Sequence, residues 1–378
     1  MVLFLHNRYR TTGGEERVVN ELVWLVRERL GEPAQLLARA SSTLGRGRAA
    51  AGLLRGGLNP DEVAAAVQRS GARLVHAHNL QPALGWRALA AARAAGARVV
   101  LHLHQYRLVC AIGVCFTRGA ECTRCHGRNT LPGVRLNCRG SRPEAAAYGA
   151  SLALWQRRLL EHADVVIVPS AFARERLRLL GAPLPWERVR VLAPPVRPPV
   201  PSGDGLARGS AGDGYALVVS RLAPEKGIDV AIDACRLAGI ALVIAGEGPE
   251  QAALRSRVRE QTVRFLGRVG VDELAQLRAG AAIALAPSRS AETFGLAAAE
   301  AMAAGLPVAA SRVGALPELV DEEGLVPAND PPALAAAIAR LARDRTAGER
   351  ARRRVEAVCA PEVVAGALAQ VYNEATLA

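Results

Sequence analysis

The sequence predicts an α/β protein built from two domains, each a parallel sheet flanked by helices, and three observations carry that prediction. From Ala281 to Ala310 an apolar run meets Pro287 and a small polar turn, continues as an alanine-rich helix that stops at Gly305, and enters a second apolar run. The order is strand, loop, helix, strand. The 378 residues, 50% hydrophobic and 22% charged, suit two globular cores better than one. Between the halves lies Ala193-Pro-Pro-Val-Arg-Pro-Pro-Val-Pro-Ser-Gly-Asp-Gly205, a proline and glycine tract that extends to Gly214 and reads as a linker.

In chain order, Met1 to Leu5 is a short strand, followed by Asn7-Arg-Tyr-Arg-Thr-Thr-Gly-Gly-Glu-Glu16 and a helix from about Arg17 to Leu30. Gly13 and Gly14 form either a plain turn or a loop whose backbone approaches a ligand closely. Ala40 to Asn59, rich in glycine and arginine, reads as a loop or broken helix. Leu74-Val-His-Ala-His-Asn79 is a buried strand ending in polar residues, with Ala83 to Ala95 helical behind it. Val99 to Cys110 is the next strand and its exit loop. Period two sends His102 and His104 to one face, with His104 nearer the carboxyl end. A histidine there is either a hydrogen-bonded structural group or a site residue. Glu144 to Leu160 is helical, Val165 to Ser170 a strand, and the last helix spans Val363 to Tyr372.

The second half concentrates the chemistry. Tyr215 to Val219 leads into Ser220-Arg-Leu-Ala-Pro-Glu-Lys-Gly-Ile-Asp229, where Arg221 and Lys226 can converge on a diphosphate as a rigid fork and a mobile point charge. Lys226 is the single lysine of the chain, which argues against a role in solubility alone. Ile240 to Ala245 ends in the turn Gly246-Glu-Gly-Pro249. These turns all follow strands, and in open parallel sheets ligands gather at the carboxyl ends. Glu292 sits near a loop-to-helix junction and Glu300 along the helix, about two turns apart on roughly one face. The backbone N–H groups around Thr293, Phe294 and Gly295 would face an anion. The alternative is a surface helix with two solvated acids.

Ser220-Arg-Leu-x-Pro-Glu-Lys-Gly, Ala245-Gly-Glu-Gly-Pro, Phe265-Leu-Gly-Arg-Val and Pro287-Ser-x-x-x-Glu-Thr-Phe-Gly-Leu-x-x-x-Glu-Ala-Met-Ala-x-Gly-x-Pro-Val occur in one order. Together they resemble the retaining glycosyltransferases of family 4, with the GT-B fold of two Rossmann-like domains facing across a cleft. The resemblance implies an acceptor-binding domain over residues 1–194, a linker over 195–214 and a nucleotide-sugar domain over 215–347, with a terminal helix at about 361–378 returning to the first domain. It implies transfer of a hexosyl group from a UDP- or GDP-linked sugar to a carbohydrate, lipid-linked or small-molecule hydroxyl. Arg221 and Lys226 would serve the departing diphosphate, Glu292 the sugar hydroxyls, His104 the reacting sugar and Glu300 the ribose. Gly13, Gly14, Gly246, Arg268, Thr293, Phe294, Gly295 and Leu296 complete the donor site. No catalytic metal is expected, because no Asp-x-Asp is placed to hold one. One departure is Gly314-Ala-Leu-Pro-Glu318, where the family's pattern is Gly-Gly-x-Pro-Glu. Competing readings are an epimerase or hydrolase acting on the same donors, a phosphorylase, and a non-catalytic sugar-nucleotide-binding module.

Five of the seven cysteines, Cys110, Cys115, Cys122, Cys125 and Cys138, share one short segment, and Cys122-Thr-Arg-Cys125 has the spacer of a metal knuckle. Structural zinc, free thiols and disulfides all remain open on spacing. A subset of the family carries matching cysteines at Cys110, Cys122, Cys125 and Cys138, so the resemblance implies these four as a zinc set. The formal charge of +13 with only 4% aromatic residues matches single-strand nucleic-acid platforms poorly and suits anionic small substrates or an anionic membrane surface. No apolar run reads as a membrane span and the first residues lack a basic signal-peptide head, which predicts a cytoplasmic chain, peripheral to a membrane at most.

Overall fold

The computed structural model describes residues 1–9, 13–198, 214–258 and 262–377. Most of the expected linker, 199–213, lies outside the described residues. The chain divides into two compact units. One comprises Met1–Thr117, Cys122–Pro195 and the closing helix Pro361–Leu377; the other comprises Arg118–Glu121 and Val196–Ala360.

The first unit holds strands β1 (Val2–Arg8), β2 (Ala34–Ala40), β3 (Leu74–Ala77), β4 (Arg98–His102), β5 (Phe116–Thr117), β7 (Val165–Val168) and β8 (Val189–Val191), while β6 (Ala120–Glu121) lies in the short stretch grouped with the other unit. Its main sheet is parallel in the order β2-β1-β3-β4-β7-β8. The inner strands β3 and β7 are buried on both faces, as a sheet covered by helices on each side requires, with His76 the polar residue among them. The closing helix lays Val364, Leu368, Val371, Tyr372 and Ala375 inward and packs on β4 and β7.

The second unit holds β9 (Tyr215–Val219), β10 (Leu242–Ala245), β11 (Val263–Gly267), β12 (Ala281–Ala286), β13 (Val308–Ser311) and β14 (Leu325–Val326), all parallel, in the order β11-β10-β9-β12-β13-β14. This is the doubly wound order that binds nucleotides where the winding reverses. The reversal falls between β9 and β12 here and between β1 and β3 in the first unit. One face of the second sheet is filled by Ala216, Val218, Ile244 and Ile283 against Ile228, Ala231 and Cys235 of helix Ile228–Ala238 and Leu334 and Ile338 of helix Pro331–Leu341.

Several sequence expectations change. Arg46–Arg55 is an unbroken helix inside the stretch read as loop or broken helix, ending on Gly56 in the left-handed conformation. The first helix begins at Gly14 and ends at Glu28. Residues Ala347–Leu377 are long and apolar enough to cross a bilayer, against the expectation of no such run. They form two helices, Ala347–Cys359 and Pro361–Leu377, and 44% of the most apolar window is buried inside the protein. Burial against the sheet of the first unit accounts for the apolar character of the second helix.

Candidate active site

In the second unit the loops after β9 and β12 flank the reversal of the sheet, and they bring together the residues singled out in sequence. Lys226 Nζ donates to Glu292 Oε1 at 2.6 Å, and Ser288 Oγ donates to the same oxygen at 2.6 Å. Burial pushes the Glu292 carboxyl up, but the charge of Lys226, the two hydrogen bonds and the charge of Arg221 outweigh it and hold the carboxyl below its usual range. Arg221 is half exposed and pairs with the buried carboxylate of Glu225. Glu225 also organises the loop, since its carbonyl accepts from Arg289 N at 2.8 Å, and Arg289 in turn pairs with Asp229 at 2.7 Å.

Close backbone approach shapes the same ends of the strands. Gly246 (φ 142°) lies against the Ser220 carbonyl, and Gly227 (φ 62°) lies against the Pro287 carbonyl, where a Cβ would collide. Gly314 has φ 61° and stacks on the Glu292 backbone, while Ala315, the departure noted in sequence, donates from its N to Glu292 O at 2.9 Å. The single retained glycine is the one that touches Glu292.

Glu292 does not share a helical face with Glu300. The helix starts at Leu296, so Glu292 stands in the loop ahead of it, because Gly295 at φ 99° turns the chain into the first helical residue. Thr293 and Gly295 are half-buried beside buried Phe294. Glu300 lies within the helix, and its Oε2 accepts from Arg278 Nη2 at 2.5 Å in a pair buried on both sides. Arg278 was not singled out in sequence; it looks like one more arginine on a polar helix, and only its burial sets it apart. Gly246 N donates to Gly267 O at 2.7 Å, so the exposed Arg268 leaves the sheet beside that turn.

The first unit has a second polar centre at its own reversal point. Glu16 Oε1 accepts from Tyr9 N at 3.0 Å and Oε2 from Gly13 N at 2.8 Å. Burial works against its charge, yet the contact with His6 and the backbone donors bring the carboxyl down to about 2. The Gly13-Gly14 turn is therefore a carboxylate-capped helix start. Glu15 beside it is buried, accepts from Tyr9 Oη at 2.6 Å, Asn79 N at 3.1 Å and Gln105 Nε2 at 3.3 Å, and burial raises its carboxyl. Arg107 covers the Tyr9 ring at 4.5 Å. Glu15, Tyr9 and Arg107 were not singled out as site residues, and two acids in the first turn of a helix give no local sign of burial.

His104 stands beside them in a pocket of about 90 Å³ that Tyr9, Glu15, Asn79 and Arg107 also line. Its ring stacks on His102 with centroids 4.2 Å apart, which agrees with the common face read from period two. His78 Nδ1 and His104 Nε2 are 2.8 Å apart, and His76 Nδ1 meets Tyr372 Oη at 2.8 Å. Burial pushes all four imidazoles down, His76 and His104 to about 3.

Residues 2–195 match the family described as a glycosyl transferase 4-like domain, just over half of the chain, and residues 214–344 match the glycosyl transferases group 1. The chain belongs to the glycosyl transferase 4-like family. This glycosyl transferase 4-like chain is 39% identical over 181 residues to a glycogen synthase of Mycobacterium tuberculosis, covering 44% of each protein. Over 125 residues it is 42% identical to a GDP-mannose-dependent phosphatidylinositol dimannoside mannosyltransferase of the same species, covering 31% of this chain and 32% of that one. The chain thus spans less than half the length of these curated relatives. Among solved structures, sucrose-phosphate synthase from Thermosynechococcus elongatus superposes with a TM-score of 0.70 at 21% identity, covering 99% of this chain and 98% of that one. Anabaena HepE in complex with UDP-glucose gives 0.64 at 17%, with 99% of each covered. These two share the fold, so the GT-B architecture of two Rossmann-like sheets holds.

The family resemblance also singled out the cysteine segment. Cys110, Cys115, Cys122, Cys125 and Cys138 line one small void of about 10 Å³, roughly the space of one water or ion. None of the seven cysteines is in a disulfide. A hydrogen bond from Cys115, which outweighs burial, lowers the Cys110 thiol to about 6. Ala111, Ile112, Phe116, Pro132 and Leu136 line the same void, and Cys138 Sγ reaches Thr117 Oγ1 at 3.6 Å. The histidines fit a metal poorly. Ring nitrogens of His76, His78 and His102 come within 4.8 Å of one another, but the rings lie nearly parallel, 23° between His76 and His78 and 10° between His76 and His102. Lone pairs of stacked rings point side by side and not at a common centre. These imidazoles form a packed core.

Proposed function

We propose that the chain is a retaining glycosyltransferase that moves a hexosyl group from a UDP- or GDP-linked sugar to a hydroxyl acceptor, the second unit holding the donor and the first the acceptor. The observation that carries this reading is the Lys226–Glu292–Ser288 cluster at the reversal of the second sheet, with Arg221 at its mouth. The leaving group gains negative charge as the anomeric carbon becomes cation-like, and donors fixed around the phosphates stabilise that transition state. Lys226, Arg221 and the N–H groups at Thr293, Phe294, Gly295 and Leu296 take the diphosphate. Glu292 takes the sugar hydroxyls, and Glu300, oriented by Arg278, takes the ribose. Gly13, Gly14, Gly246 and Arg268 border the donor, and His104 serves the reacting sugar. No metal is required to neutralise the diphosphate in this scheme.

We read the chain as one of the subset with a cysteine insertion, in which Cys110, Cys122, Cys125 and Cys138 would hold a structural zinc ion and four thiolates would close its coordination shell. Reduced cysteines suit a cytoplasmic location, and the charge of +13 suits contact with an anionic inner membrane face. Nucleic acid is not a partner in this reading. One relative is named as GDP-mannose-dependent and the Anabaena HepE structure contains UDP-glucose, in keeping with a GDP- or UDP-linked donor.

The test is a thermal-shift panel of UDP-, GDP- and ADP-sugars followed by measurement of nucleotide diphosphate release with acceptor present. One donor should raise the melting temperature by mass action and release diphosphate only with acceptor. Stabilisation by none of them, or an epimerised product from donor alone, overturns the reading.

A further inference from the structure

The pocket of the first unit has two chemically different sides. On one stand Tyr9, Glu15, His104 and Arg107, and on the other Leu53, Trp86, Leu152 and Trp155. The second side carries polar tips in its sequence, but the fold removes them. Trp155 Nε1 donates to Leu54 O at 3.0 Å, Tyr148 Oη donates to Arg107 O at 2.8 Å, and Gln156 Nε2 donates to Leu108 O at 2.6 Å and Gly127 O at 3.1 Å. What remains on that side is mostly carbon, broken by the Trp86 indole N–H and the Gln156 side-chain oxygen, which are buried without a hydrogen-bond partner.

The tryptophans are not free sugar-stacking platforms either. His162 stacks on Trp86 at 5.7 Å and 7°, Trp155 tilts against it at 5.6 Å, and Arg158 sits over the same ring. The Trp86 faces are thus engaged inside the protein and its Nε1 edge packs against Gly56, so the ring offers the pocket a fixed apolar rim and no open stacking face. The apolar side continues outward onto exposed Leu54, next to Trp155.

The polar side is built to receive a hydroxyl. Glu15 is 8% exposed and reaches the pocket with its carboxylate fixed by Tyr9, Gln105 and the Asn79 amide. His78, 3% exposed, also lines the pocket, and its Nε2 has no hydrogen-bond partner. A purely hydrophilic sugar would leave the carbon side wetted. A purely apolar ligand would leave the carboxylate without water or hydroxyl.

We infer that the acceptor is an amphiphile whose hydroxyl-bearing head sits against Glu15 and Tyr9 and whose alkyl or aryl body lies along Trp86, Leu152 and Trp155. The inference rests on the transferase reading for the word acceptor, while the binding itself does not. Selection comes from burial of the body, which a short-chain analogue cannot supply.

The full chain, without donor, is titrated with octyl, phenyl and methyl β-glucosides below any micelle concentration, followed by calorimetry and tryptophan fluorescence. The octyl or phenyl compound should bind more than about tenfold tighter than the methyl compound, the gain that two buried methylenes supply. Octyl above phenyl indicates a lipid-like body, and phenyl above octyl an aromatic one. Leu152→Asn should erase the difference, and Glu15→Gln should weaken both compounds alike. Circular dichroism and donor-induced stabilisation check that each variant is folded, and Trp155→Ala replaces Leu152→Asn if the latter is not. Equal affinity for octyl, phenyl and methyl compounds overturns the inference. So does a preference that survives a folded Leu152→Asn or Trp155→Ala variant. Donor binding without amphiphile preference defeats the inference alone; amphiphile preference with no response to any nucleotide sugar defeats the transferase reading instead.

Discussion

Lys226 Nζ rests 2.6 Å from Glu292 Oε1, so the chain's single lysine and the acid assigned to the transferred sugar neutralise each other. On this scheme, donor phosphates compete with Glu292 for the lysine. Lys226→Ala should lower transfer by about 10²- to 10³-fold, the range for losing one charge-stabilising donor. Lys226→Arg should recover only part, because its fork is planar and longer. Glu292→Gln should lose most turnover while binding free nucleotide diphosphate at least as well as the parent. Rates and nucleotide affinity measured side by side decide this, and near-parental turnover of either Lys226→Ala or Glu292→Gln rules the role out.

Glu300 and Arg278 form a buried pair, so a single substitution has two effects. Glu300→Ala should cost about 3–5 kcal/mol of stability by stranding the guanidinium and should weaken nucleotide affinity. Glu300→Leu with Arg278→Met should restore most of the stability but not the affinity. Urea unfolding alongside nucleotide titration separates the two, and parental affinity in the folded double variant removes Glu300 from the ribose.

The histidine stack makes stability depend on pH. The unfolded imidazoles titrate near about 6.5, while burial holds His76 and His104 at about 3 and His78 and His102 well below their usual value. Between those values the unfolded chain binds protons that the folded chain does not. Stability is therefore full above the unfolded value and declines as pH falls toward 3, by up to about 1.4 kcal/mol per pH unit for each histidine. Urea midpoints at pH 7.5 and 5 should show the decline. Replacing both members of one contact, His76→Phe with Tyr372→Phe, should make it shallower; an equally steep decline in that variant counts against the stack as the cause.

The cysteine void gives a compositional prediction. Protein purified without an affinity metal should carry about one zinc ion per chain, and Cys122→Ser with Cys125→Ser should abolish it while nucleotide binding persists. Metal-free protein with freely titrating thiols at Cys110, Cys122, Cys125 and Cys138 would falsify the zinc site.

Strand and helix order was legible because apolar runs and their turns are local. Pro287 to Gly295 announces a strand exit in the sequence itself, and the grouping of Lys226 with Glu292 follows once both loops are placed at the sheet's carboxyl ends. Glu15 was not legible, since its neighbours Asn79 and Gln105 are 64 and 90 residues away. The same holds for Arg278, whose partner comes from another helix, and for the apolar pocket wall, whose character depends on Trp155, Tyr148 and Gln156 turning their polar atoms toward distant carbonyls. The helical spacing read for Glu292 and Glu300 failed because Gly295 starts the helix later than composition suggests.

The helix Pro361–Leu377 covers β4 and β7 and gives Tyr372 to His76, so the first sheet is synthesised first and sealed last. While the ribosome makes the second unit, the histidine face of the first lacks its cover, and folding in simple N-to-C order is interrupted. Residues 196–360 are made between the sheet and its lid, so the second unit can reach its native fold on the ribosome before the first can close. A chain cut short at residue 360 would leave that face without Val364, Leu368, Val371 and Tyr372 and open to chaperones and proteases.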